Sequence, residues 1–420
     1  MNPPDYRNEG RSWLTGRPFA AEVVARAGLW PLSPAPLAAT AGQSLRRGHS
    51  PADRRACIRR PTDNMALYWI LLFLCGLFAL VEHSRPPALR NMIDAPWILM
   101  MVVVACMIGL RWETGGDWFA YVAMVDSLSW TNLEYALSRP DPGFGLLTYF
   151  AANGGGGMTT VTMFSGIAMA VGLTVFCRNQ PRPWLALTAA FPYMIVVLGM
   201  GYIRQGIALS FIMIGLIVLQ RSSVLRYVMV IAVGAAFHSS AALFVPIAAL
   251  AQARNRLWTM VWVGISAGAA FFLFLREQAD TFITNYVEAE YNSTGALVRV
   301  LMTVLAAGAF LLFRPRFQLD ERERTLWTWL SVIALAFPVL LVVLPSSTAV
   351  DRIALYWLPL QLFVFSRLPD ALAPDIKTQR LITLAIFIAY AVTFYVWINF
   401  ADNAFGWVPY KFKPLMETFY

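Results

Sequence analysis

The chain has 420 residues, of which 58% are apolar and only 14% charged, with 33 Lys and Arg against 24 Asp and Glu. So apolar a composition excludes an ordinary soluble enzyme and predicts an all-α, polytopic integral membrane protein. The net charge of +9 is not a nucleic-acid signal, because outside the N-terminal segment the Arg and Lys fall in short loops between apolar runs.

Residues 1–64 differ from everything that follows. They hold ten Arg, no Lys and five acids, so they carry +5 of the +9, and they contain no spanning run and no signal-peptide core. The composition is that of a disordered Arg/Pro-rich extension. At Met65 it changes abruptly to MALYWILLFLCGLFALVE. Two expectations follow: a membrane domain over 65–420, and either a true start at Met65 or a disordered regulatory tail before it.

Apolar runs then predict about 11 spans, near 65–81, 95–110, 158–177, 184–199, 203–220, 225–250, 257–275, 297–313, 327–344, 353–366 and 380–400. Loop charge orients them. Arg85/Arg90, Arg178/Arg182 and Arg221/Arg226 mark cytoplasmic loops. The long loop 111–157 is acidic (Glu113, Asp117, Asp126, Glu134 and Asp141 against Arg111 and Arg139) and is expected outside. Alternation fails once, at 225–250. If that run crosses once, every later loop violates the rule. If it enters and returns, the basic loops at Arg254/Arg256, Arg314–Arg324 and Arg367–Arg380 become cytoplasmic. The loops 276–296 and 345–352 and the C-terminal tail become external. A re-entrant hairpin with its tip at Phe237-His238-Ser239-Ser240 is therefore expected, in the setting where such a hairpin is tolerated, buried in protein or lining a cavity.

Two ionisable residues sit inside apolar runs, Arg204 and His238, 34 positions apart (238 − 204). Charge at membrane depth is expensive and marks a functional site by default; snorkelling of Arg204 and a satisfied core histidine are the bland alternative. In the external loop, Gly115-Gly116 allow a tight turn before Asp117, Trp118 and Tyr121, which fall on the first turns of a short helix. A carboxylate beside aromatic rings suits a sugar, and equally suits an interfacial helix. Arg139-Pro140-Asp141-Pro142-Gly143-Phe144 reads as a rigid turn into another helix, with Asp141 available to an external Arg. Asp351-Arg352 stands at an external span entrance, as a local ion pair or as a source of a second guanidinium. Arg204 and Arg352 together would grip a pyrophosphate, since the planar fork matches phosphate oxygens.

Other features carry less. Gly154–Gly157 lacks the following Gly-Lys-Ser/Thr of a phosphate loop and reads as a hinge. Asn292-Ser293-Thr294 fits a sequon, and Glu288-Ala289-Glu290 is a weak metal pattern. Cys57, Cys75, Cys106 and Cys177 share no metal or redox spacing. No Asp-x-Asp, His-Glu-x-x-His, Gly-x-Ser-x-Gly or Rossmann fingerprint occurs, which argues against a metal-dependent nucleotide-sugar transferase, a zincin and a serine hydrolase.

In order, Arg111…Gly-Gly-Asp117-Trp-Phe-Ala-Tyr121, Asp-Pro-Gly-Phe at 141–144, Ile203-Arg204-Gln205-Gly-Ile-Ala-Leu and Phe237-His238-Ser-Ser-Ala resemble the EpsG family of Wzy-like exopolysaccharide polymerases. The likeness runs from about Met65 to Pro369, and Asp141 stands where Glu would be expected. The resemblance implies transfer of a growing glycan from undecaprenyl pyrophosphate to a sugar hydroxyl of a new lipid-linked repeat, outside the inner membrane. It implies no cofactor, metal or nucleotide sugar. Its implied partners are the lipid-linked oligosaccharide, membrane lipid, and flippase and chain-length or export proteins. Under that reading Arg204, with Arg352 or Arg111, takes the charge of the leaving group. His238 is the base, and Gln205, Asp117, Tyr121, Asp141 and Asp351 bind or orient substrate. An O-antigen ligase uses the same donor. A membrane sugar O-acyltransferase would leave Arg204 without a role. A transporter or flippase predicts inverted repeats, which the two halves do not display.

Overall fold

The computed structural model describes residues 65–86, 90, 92–221, 223–248, 295–344 and 347–416. These residues form helices joined by turns, with one isolated bridge between Arg111 and Phe412. The helices that matter below are α1 (Ala66–Val81), α2 (Ala95–Gly109), α3 (Trp118–Leu128), α4 (Pro142–Asn153), α5 (Gly157–Arg178), α6 (Pro183–Gly201) and α7 (Ile203–Arg221). They are followed by α8 (Val224–Phe237), α9 (Ala296–Phe313), α10 (Glu321–Ala334), α11 (Ser347–Ala354), α12 (Leu358–Phe365) and α13 (Ile376–Phe400).

Among the described residues, six helices are long and apolar enough to cross a bilayer: Gly157–Arg178, Pro183–Gly201, Ile203–Arg221, Ala296–Arg316, Glu321–Val343 and Ile376–Phe400. The expected spans 65–81 and 95–110 are helices of 16 and 15 residues. At 1.5 Å per residue they fall short of the roughly 30 Å hydrocarbon core. The expected span 353–366 is two short helices, α11 and α12, joined by a tight turn at Leu355–Trp357. The expected span 257–275, the sequon and Glu288/Glu290 lie outside the described residues.

Helix starts follow ordinary capping chemistry. Asp94, Ser223, Asp320 and Asp375 each accept a bond from the backbone N–H three residues on, at the starts of α2, α8, α10 and α13. The start of α6 is capped by another helix: the Glu82 carboxylate accepts from the Trp184 and Leu185 amides at 3.1 and 2.9 Å. Helix α6 is the central post, buried along its whole length. Pro192 removes a donor N–H from it, and Phe191–Leu198 winds as a π-helix, with Trp407 donating to the Val196 carbonyl at 2.9 Å. The helix then breaks at Tyr202 and restarts as α7, putting Arg204 in the first turn.

A second break falls at His238, whose backbone is extended (φ −156°, ψ 110°). The 3-10 turn Ser239–Phe244 follows, and the Tyr227 hydroxyl donates to the Phe244 carbonyl. Tyr227 lies about three turns before the break, so the chain doubles back along α8 after His238.

The loops segregate to two ends. At one end the Trp112 amide donates to Lys411 and the Lys413 amide to Leu110, both at 2.8 Å, so the tail after α13 clasps the turn 111–118. Gln205 donates to the Arg352 carbonyl at 2.5 Å at this same end. At the other end Arg182 pairs with Asp370 at 2.7 Å, Arg367 donates to Gln180, and the Arg85 amide donates to the Pro181 carbonyl at 2.8 Å. The charges of Arg221, Glu323 and Asp370 act on Arg90, which brings those loops to this second end as well.

Gly115 is where the clasp tests the backbone. Its φ is +111°, and an added Cβ would lie 2.2 Å from the Met200 carbonyl oxygen. Gly115→Ala is expected to strain the turn by on the order of 1–3 kcal/mol before the clash is counted. A lower thermal-unfolding midpoint of the purified protein would register it.

Candidate functional site

The site is built on the motif at 141–144. Pro142 opens α4, and the Asp141 carboxylate before it makes no bond to its own helix. Its oxygens reach two other segments. Oδ2 accepts from Arg204 Nη1 at 2.9 Å, and Oδ1 accepts from the Ser239 amide at 2.9 Å. His238 Nδ1 lies 3.6 Å from Oδ2, at ion-pair distance and beyond a hydrogen bond. Gly143 permits this approach, since a Cβ there would meet the Ala236 carbonyl oxygen at 2.9 Å. Phe144 lies under the Arg204 guanidinium, 5.9 Å from ring centroid to Cζ. All four residues of the motif therefore serve one junction between α4, α7 and α8.

Other groups surround that junction. The Tyr121 hydroxyl on α3 interacts with Arg204, and the charges of Arg204 and Arg352 both act on Asp117. Both guanidinium charges also reach the His238 ring. Arg352 stacks over the Tyr202 ring at 4.6 Å. Ser240 and Tyr356 share a hydrogen bond at 3.0 Å, and the Tyr356 ring stands 6.5 Å from that of His238. Arg204 keeps about a third of its side chain exposed (34%), so the junction is open on that side. Two buried atoms there lack a hydrogen-bond partner, Gln205 Oε1 and His238 Nδ1.

Burial pushes the Asp117 carboxyl up from its ordinary value, against the pull of Arg352 and Arg204. Burial also works against the Asp141 carboxylate. There His238, Arg204 and the Ser239 amide outweigh it and hold the carboxyl below the usual range. The surroundings thus favour the charged form of Asp141, whereas burial works against that of Asp117. Among the described residues no three His, Cys, Asp or Glu side chains are grouped to hold a metal ion.

The structure brings Asp117, Tyr121, Asp141, Arg204, Gln205, His238 and Arg352 to one end of the bundle. Two expected site residues do other work. Arg111 is buried, and its three nitrogens donate to the carbonyls of Thr114 and Met200 at 2.9 Å and of Ile108, so it braces the turn 111–118 against α6. Asp351 is engaged from another helix. It receives a bidentate Arg299 from α9 at 2.7 and 2.5 Å, in a buried pair. Arg299 is not singled out by the sequence reading, and Ser240 stands there only as part of the hairpin tip. Arg299 sits four residues into an apolar run, which is the same signal that marked Arg204.

A family model described as the EpsG family matches residues 94–412. The chain belongs to the EpsG family. The match begins later than the expected Met65 and extends well past Pro369, through α13 and into the tail that clasps the turn at 111–118. No curated protein and no solved structure matches the chain. Membership points to a polysaccharide-polymerase-like function in a membrane.

Asp141→Asn keeps shape and removes charge. It leaves Arg204 and His238 without their shared anion, and activity is expected to fall at least about tenfold, the effect of losing one charge-assisted bond. Asp141→Glu should retain part of it. Polymer output from cells carrying equal membrane levels of each variant measures both.

Proposed function

We propose that this chain polymerises undecaprenyl-pyrophosphate-linked oligosaccharide repeat units into exopolysaccharide at the periplasmic face of the inner membrane. The observation that carries the reading is the junction itself. Arg204 and His238 meet one buried carboxylate, Asp141, beside a helix break, and the charge of Arg352 reaches both His238 and Asp117.

In this reading the donor glycan is joined through its anomeric carbon to the lipid pyrophosphate. A hydroxyl of the next repeat attacks that carbon, its proton passes to His238, and the bond to the pyrophosphate oxygen breaks. The leaving group gains negative charge as it departs. Arg204 and Arg352 stabilise that charge, commonly the largest catalytic effect. Asp141 orients the His238 ring and favours its protonated form. Asp117, Tyr121 and the free carbonyl oxygen of Gln205 take the glycan hydroxyls. Arg111 and Asp351 act through the backbone and through Arg299, holding the frame. Residues 1–64 lie outside the matched region, and the scheme assigns them no role.

The re-entrant hairpin at 225–250 belongs to the same proposal. Three observations support it. The chain doubles back after His238. The segments 111–118, 347–352 and 401–416 share one end, through the Trp112–Lys411 and Gln205–Arg352 bonds and the neighbouring Asp141 junction. The described basic loops share the other. A single crossing would put the later loops on the wrong sides.

Purified protein in lipid nanodiscs, supplied with lipid-linked repeat units, is expected to yield a ladder of longer glycans. Arg204→Lys keeps the charge but loses the fork, and should slow chain growth on the order of 10²-fold. His238→Ala should abolish it at neutral pH. Near-normal ladders from both variants would remove the assigned roles. Transfer to a lipid A acceptor without chain growth would instead identify a ligase.

Topology has its own test. Asn255 and Asn285, both outside the described residues, fall on opposite faces in the hairpin arrangement. In a Cys-free background, Asn255→Cys should be protected from an impermeant maleimide in whole cells and Asn285→Cys labelled. The reverse pattern would mean a single crossing.

A further inference from the structure

At the end of the bundle opposite Asp141, one arginine stands without the bonds its neighbours have. Arg178 closes α5, and its side chain is 2% exposed. None of its three guanidinium nitrogens makes a hydrogen bond. Among the described residues its carboxylate contact at ion-pair distance is Asp94 Oδ2, 3.5 Å from Nη1; that oxygen is also held by Arg85 Nη2 at 3.2 Å, and Glu82 lies farther off. Asp94 spends its other oxygen on the Trp97 amide at the start of α2. The Arg178 guanidinium lies over the Trp97 ring at 5.5 Å, and the Trp97 indole N–H is unbonded as well.

The contrast with nearby arginines is informative. Arg182, equally buried, spends its donors on Asp370 and on Gln379, both at 2.7 Å. Arg367 donates to Gln180 and to the Phe363 carbonyl. A buried guanidinium carries five donors, and leaving them unmade is costly. Asp94 is shared with Arg85, and the Glu82 carboxylate nearby is taken by the Trp184 and Leu185 amides, so neither supplies the bonds Arg178 lacks.

We propose that Arg178, Arg85 and the Trp97 indole form a binding site for a phosphate oxyanion at the end of the molecule opposite the Asp141 junction. Several oxygens on one anionic centre match several unmade N–H donors, the arrangement in which the planar fork is strongest. Asp94 and Arg85 form the outer wall, with side chains 43% and 26% exposed, so a ligand reaches Arg178 by displacing the Asp94 carboxylate. Arg178 is the last residue of a 22-residue spanning helix, the level at which headgroups lie. A phosphate arrives there either on an anionic phospholipid or free in solution. The site stands on its own residues and does not depend on the polymerase reading.

The full-length protein tests it with two probes. Native mass spectrometry measures binding of phosphatidylglycerol against phosphatidylcholine, and thermal unfolding measures stabilisation by inorganic phosphate. If the source is lipid, phosphatidylglycerol binds wild type preferentially, and about tenfold more weakly to Arg178→Gln and Arg85→Gln, the loss expected for one charge-assisted bond. If the source is free phosphate, inorganic phosphate raises the unfolding midpoint of wild type and of neither variant. Should Arg178→Gln fail to fold, the partly exposed Arg85→Gln decides alone. Equal binding of both lipids by wild type and variants, with no phosphate-dependent shift, would overturn the site.

Discussion

The Asp141 carboxylate sits where three segments that are far apart in the chain converge. One oxygen takes Arg204 at the start of α7, and the other takes the Ser239 amide just past the break in α8. Neither oxygen caps α4, the helix the residue introduces. The position of α4 against α8, the direction of Arg204 and the placement of His238 therefore depend on the same small anion. Cationic and basic groups on two sides keep that anion ionised despite its burial.

The break at His238 shows why such a carboxylate is required. Interrupting an apolar helix frees backbone groups, and in a bilayer interior no water replaces the lost bonds. Here the freed groups are met. The His238 amide still reaches the Gly234 carbonyl at 3.1 Å, and the His238 carbonyl accepts from Ala241 at 3.0 Å. The Ser239 amide is taken by Asp141. The interruption is thus a finished structure, and it presents an imidazole at the end of a helix.

Much of this was legible in the sequence because charge inside an apolar run is rare and costly. Arg204 and His238 announce themselves that way, and the Gly-Gly-Asp and Asp-Pro-Gly-Phe turns announce a backbone with special demands. Periodicity does not say which helices pack together, so partnerships were harder to read. The Asp351–Arg299 pair joins two helices that no sequence pattern links. The three carbonyls that Arg111 reaches are likewise set by the turn and by α6, not by spacing. Span number is not settled by hydropathy for a related reason. The run at 353–366 is buried against its neighbours, whereas 65–81 leaves Ile70, Leu77 and Val81 exposed, and hydropathy alone does not distinguish burial in protein from burial in lipid.

The kink between α6 and α7 and the break in α8 make a pair. The first turns the start of a helix, with its partial positive charge, toward the junction, and sets Arg204 within that turn. The second brings the end of another helix to the same place, with His238 upon it. A negative leaving group is favoured beside the first, and a ring that gains a proton is favoured beside the second, because a helix end carries partial negative charge. Asp141 lies between them and offsets the repulsion between the Arg204 guanidinium and a His238 ring that has gained a proton. In the proposed scheme, two interrupted helices joined by one carboxylate would hold apart the two charges of the transfer, the leaving pyrophosphate beside Arg204 and the proton on His238.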